Sequence, residues 1–172
     1  MLNSDGLREE LSAYDGRSTP ILSEISVKHR RQKGFHSDLI TLAFDKVPTI
    51  SEGATWLLKA ELEEGHVLPP PDVERLASRL SDVQAWQAQL HICQSIRYLL
   101  VPKKSVQSIE KWLTKVLETR RAFLRAWSVD AYCRLFGGSS KKTKFLLDRM
   151  EEDEAASVRT RVRNLRREFE IR

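Results

Sequence analysis

The chain has 172 residues, of which 41% are apolar and 31% charged, with a formal net charge of +5. This is the balance of one folded domain with a real core, and it excludes a disordered chain. No apolar run approaches the roughly 18 residues that a membrane span needs, and MLNSDGLREE has no basic segment followed by an apolar one, so neither a membrane anchor nor a secretory leader is expected.

The charge is uneven. Residues 1–68 carry 8 basic and 11 acidic side chains, net −3; residues 69–172 carry 21 and 13, net +8. A basic half can meet an acidic partner or nucleic acid, and it is equally compatible with a plain solvated surface. Cys93 and Cys133 lie inside apolar helical patterns. They read as small buried residues in a reducing, cytoplasmic compartment.

No segment shows strand alternation, so helices joined by short turns are expected throughout. Residues 4–14 start at Ser4 as N-cap and place Leu7, Leu11 and Tyr14 at helical spacing. After Asp15-Gly16, Ser18-Thr19-Pro20 opens a second helix with proline in its first turn. Ile21, Leu22 and Ile25 are its apolar positions, and Lys28, His29, Arg30 and Arg31 suit its C-terminal end. Ser37 to Asp45 is a short helix. Thr49-Ile50-Ser51-Glu52 matches a capping box, opening a helix with Ala54, Trp56, Leu57, Leu58 and Leu62 that stops at Gly65.

Pro69-Pro70-Pro71 reads as a stiff connector and a possible joint. Asp72 to Leu80 follows. Ser81-Asp82-Val83-Gln84 is a second capping-box match, opening Ala85 to Leu100. That helix has two stripes: Ala85, Ala88, Ile92, Ile96 and Leu99 on one side, Trp86, Leu90, Cys93 and Leu100 on another. Ser105 to Leu117 has one stripe.

Arg121 to Phe136 is the most informative stretch. At about 100° per residue, Leu124, Trp127, Ala131 and Leu135 fall on one side, with Ala122, Ala126, Val129, Cys133 and Phe136 nearly opposite. An ordinary surface helix has one apolar stripe; a helix with two must be covered twice. Gly137-Gly138-Ser139-Ser140 breaks and recaps, Lys141 to Met150 is short, and Asp153 to Ile171 carries Val158, Val162, Leu165 and Phe169 on one stripe.

One-sided helices therefore alternate with two-sided ones. Trp86 and Phe123 open equivalent helices 37 residues apart, a period typical of solenoids, in which each unit buries its faces only by stacking. The last helix, with Arg159, Arg161, Arg163, Arg166 and Arg167 outward, suits a terminal cap.

FLRAWSVDAYCRLF and ASVRTRVRNLRREF resemble the second helix of a HEAT or HEAT-like repeat, and WQAQLHICQSIRYLL is a looser match. The resemblance is good over about residues 72–170 and weaker over 1–68; the first-helix proline and the full Asp-Arg ladder of the family are missing from most pairs. It implies an all-α, right-handed α-solenoid of about five antiparallel helix pairs, forming one domain over residues 1–172. Members mostly bind proteins, and some bind nucleic acid.

No chemistry-bearing set emerges. His29, His36, His66 and His91 include no i, i+4 metal pair, and neither cysteine has a second one three residues away. Gly137 to Lys142 lacks the spacing and preceding strand of a phosphate loop. The expectation is a non-enzymatic scaffold without metal or cofactor. Its protein-binding surface would be the ridge Arg121, Arg125, Ser128 and Tyr132 together with Arg159, Arg163, Arg166 and Arg167. Two alternatives stay open: a nucleic-acid binder akin to the HEAT-like DNA-alkylation-repair glycosylases, with Asp130 or another groove acid as the catalytic carboxylate, and a small-molecule or lyase-type enzyme. The four tryptophans, 56, 86, 112 and 127, are expected in the core.

Overall fold

A computed structural model describes residues 4–171; the expectation about a leader rests partly on residues 1–3, outside that range. Every regular element among the described residues is helical. In chain order they are α1 (Ser4–Leu11), α2 (Thr19–His29), α3 (Phe35–Leu42), α4 (Pro48–Glu63), α5 (Pro70–Ser78), α6 (Trp86–Ser95), α7 (Lys103–Val116), α8 (Ala122–Phe136), α9 (Lys141–Met150) and α10 (Ala156–Glu168). Single 3-10 turns follow α5, at Leu80–Asp82, and α6, at Ile96–Tyr98.

Proline sets several helix starts. Pro20, Pro48 and Pro70 occupy the first turns of α2, α4 and α5, where a missing N–H costs nothing because the first four have no intrahelical acceptor. Neither expected capping box forms, and Pro48 displaces the first. Thr49 and Ser51 lie inside α4, whose N-cap is Val47. Ser81 lies in a 3-10 turn, and α6 starts later from Ala85. Pro70 and Pro71 belong to α5 rather than to an extended connector, and contacts of α3 with α5 and of α4 with α6 cross the segment. At the α8–α9 break, Gly137 adopts φ 77°, ψ 160°, a conformation open in practice only to glycine. Ser140 then caps α9 through the Lys142 N–H.

The even-numbered helices pack in order, α2 on α4, α4 on α6, α6 on α8 and α8 on α10. Among the odd-numbered ones, α1 packs on α3, α3 on α5 and α5 on α7, while α9 lies against α8 and α10. Side-chain links between neighbouring even helices recur at similar sequence separations. Thr55 and His91 are 36 residues apart, Cys93 and Ser128 35, Arg97 and Asp130 33, and Arg134 and Glu168 34.

The apolar interior divides at α8. One cluster runs from Leu7 and Leu11 to Leu124 and Ala131, with Trp127 and Leu135 against its edge. The second joins Ala126, Val129 and Cys133 to Leu146, Leu147, Met150, Val158, Val162 and Leu165. The opposed stripes of α8 thus enter different cores. In the α6 region the second stripe is shorter than expected, because the helix tightens after Ser95 and leaves Leu100 exposed. Trp112 is fully core, whereas Trp56, Trp86 and Trp127 are half-buried at its margin.

Candidate functional site

The expected ridge on α8 does not form as one surface. Arg125 is 7% exposed and Ser128 is completely enclosed. Arg125 donates through Nε and Nη2 to both oxygens of Asp153 at 2.7 and 2.8 Å, and through Nη1 to the Thr119 carbonyl at 2.7 Å. It therefore ties the turn before α8 to the turn before α10. The guanidinium holds the Asp153 carboxyl below its ordinary range. Ser128 donates to the Leu124 carbonyl and faces Cys93 of α6. Arg121 alone reaches solvent freely, with its guanidinium 4.6 Å from the Trp86 ring centroid. Tyr132 points elsewhere, toward α7 and α9.

The physical reason lies in the two-sided helix. Where both faces are covered, the polar edges become seams between converging neighbours, so an edge position need not reach solvent.

The arginines of α10 are mostly engaged. Arg159 donates to the carbonyls of Asp153 and Glu154. Arg161 lies 4.0 Å from the Trp127 ring centroid and pairs with Asp130. Arg166 reaches Asp148 and Glu151. Among the described residues, the Arg163 and Arg167 side chains hydrogen-bond only within their own helix, to Thr160 and Asn164, and remain exposed. Asp130 is itself buried among Arg97, Arg134 and Arg161, each at 3.3 Å. That carboxylate joins three helices.

Two arrangements sequence reasoning missed carry more chemical potential. The first is a groove of about 340 Å³ between α7, α8 and α9, lined by Thr114, Leu117, Tyr132, Lys141, Lys142, Phe145, Leu146 and Arg149. Phe145 is 73% exposed at its edge. The Tyr132 hydroxyl donates to Glu110, and burial together with that carboxylate pushes its pKa up to about 12. Lys142 is held by Glu110 at 2.6 Å and by the Phe136 ring. Among the described residues Lys141 and Arg149 make no ion pair.

The second surrounds Glu61 in the last turn of α4, which has no solvent exposure. Its Oε1 accepts from the Ser26 hydroxyl at 2.9 Å and from Arg30 at 2.8 Å. Its Oε2 faces His36 Nε2 at 3.3 Å and His66 Nε2 at 3.4 Å. Burial alone would raise the Glu61 pKa, but Arg30 and Ser26 outweigh it and hold the carboxyl below its usual value. The available signal was a glutamate at a core position, between Leu57, Leu58 and Leu62.

The thiols offer no nucleophile: burial pushes both Cys93 and Cys133 up to about 12, leaving them protonated. No known protein family, curated protein or solved structure matches this chain.

Proposed function

We propose that the helix pairs form a right-handed, HEAT-like α-solenoid acting as a non-enzymatic scaffold, and that the groove between α7, α8 and α9 binds an acidic protein segment with an apolar anchor. The regular 33–36-residue separation of the links between even helices supports the repeat reading. The observation that carries the binding reading is Phe145, an exposed phenyl beside Lys141 and Arg149, whose charges are unpaired among the described residues. Aromatic side chains and arginine are enriched at protein interfaces, and the positive charges of Lys141 and Arg149 beside Phe145 are complementary to an acidic peptide.

Nucleic acid is the weaker reading of the basic half. Arg97, Arg134 and Arg161 are already drawn onto Asp130 and Arg166 onto Asp148 and Glu151, which leaves Arg163 and Arg167 as the exposed arginines of α10 for phosphates. The test is quantitative affinity capture from nuclease-treated lysate, comparing the native chain with a Lys141→Glu, Phe145→Ser, Arg149→Glu variant. A specific protein partner whose recovery falls at least tenfold in the variant is expected, in line with about 1.4 kcal/mol or more lost at an interface anchor. Equal recovery by both forms removes the groove, and binding abolished by nuclease transfers the function to nucleic acid.

A further inference from the structure

We propose that His36, Glu61 and His66 form a binding site for a divalent transition-metal ion, with Zn2+ the best fit. The ligand atoms of the three lie within 4.8 Å of one another. Zinc bonds imidazole nitrogen and carboxylate oxygen at roughly 2.0–2.2 Å in tetrahedral geometry, which puts adjacent ligand atoms about 3.3–3.6 Å apart. Glu61 Oε2 stands 3.3 Å from His36 Nε2 and 3.4 Å from His66 Nε2, so two edges of that tetrahedron already exist. The half-exposed His66 ring can rotate to close the third, because its position after α4 is not locked in the core.

The carboxylate is prepared as a supported ligand. Ser26 and Arg30 donate to Oε1 and fix its orientation, leaving Oε2 toward the imidazoles. Such outer hydrogen bonds are what orient metal ligands. Arg30 also opposes a cation, but Glu64 pairs with it at 2.6 Å and offsets its charge. The imidazoles are the more open side, with side-chain exposures of 28% for His36 and 45% for His66. Three protein ligands and a fourth position toward solvent leave room for water or a partner's donor.

Chelator-treated protein is titrated with Zn2+ by calorimetry, alongside His36→Asn, His66→Ala and, as a control at the α4–α6 contact, His91→Ala. One equivalent should bind, with affinity falling at least tenfold in each of the first two variants, the lower end of what disturbing a metal's support costs, and unchanged in the control. Co2+ should give the intense visible absorption of a tetrahedral site. Circular dichroism establishes that each variant is folded; should His36→Asn not fold, the half-exposed His66→Ala alone decides. No zinc binding, unchanged affinity in folded His66→Ala, an equal loss in His91→Ala, or only the weak absorption of octahedral Co2+ would overturn the assignment.

Discussion

His91 shows how much one side chain owes to the stack around it. Its Nδ1 lies 3.1 Å from the Thr55 hydroxyl, across the α4–α6 contact. Burial pushes its pKa down to about 4, and nearby Lys59 adds to the effect. The unfolded chain accepts this proton near pH 6.5 while the folded chain refuses it. The stability associated with neutral His91 is therefore complete above pH 6.5, declines as pH falls, and is lost by about pH 4. The total is on the order of 3 kcal/mol. Denaturant melts of His91→Gln and the native chain from pH 7.5 to 4 should diverge in that window, the variant losing less. Parallel curves would show that the imidazole is not desolvated. The carboxylates Asp153 and Glu61, held below their ordinary values, lose their contribution from about pH 5 downward, but both chains carry them, so the difference between the two curves isolates His91.

At the scale of elements, α8 is a two-sided helix fastened at one edge by Arg125. Removing that guanidinium leaves Asp153 buried without its partner and frees two turns at once. Arg125→Ala should cost about 3 kcal/mol or more, as for other broken buried pairs. Exposed Arg121→Ala, losing only its contact with Trp86, should cost under about 1 kcal/mol. Chemical denaturation separates the two, and equal costs would mean that the buried pair is not formed. This helix was also the most legible element in the chain. Leu124 and Val129 sit on opposite sides by wheel geometry alone, and they enter different cores. Its edges were not legible: nothing in the local pattern of Arg125 says that Asp153, 28 residues on, will cover it. The start of α4 was misread for a different reason. Ser and Thr at capping spacing were outweighed by Pro48, which fixes the first turn of α4 before Thr49 can cap it.

At the scale of the molecule, the two-sided helices α6 and α8 each contact the even-numbered helices on either side of them. That two-sidedness was readable because apolar periodicity is local. The Glu61 cluster was not, since His36 and His66 come from the start of α3 and the turn after α4 and meet only when α3 packs on α4. The central claim is that the pairs succeed one another in a row, with α8 separating two cores. Methyl-to-methyl nuclear Overhauser contacts test it most directly. Val129 should give cross-peaks to Val158 or Val162, Leu124 only to methyls of the first core, and Leu7 and Leu11 none to Val162 or Leu165. Cross-peaks joining Leu7 or Leu11 to Val162 or Leu165 would mean a closed bundle and would contradict the stack.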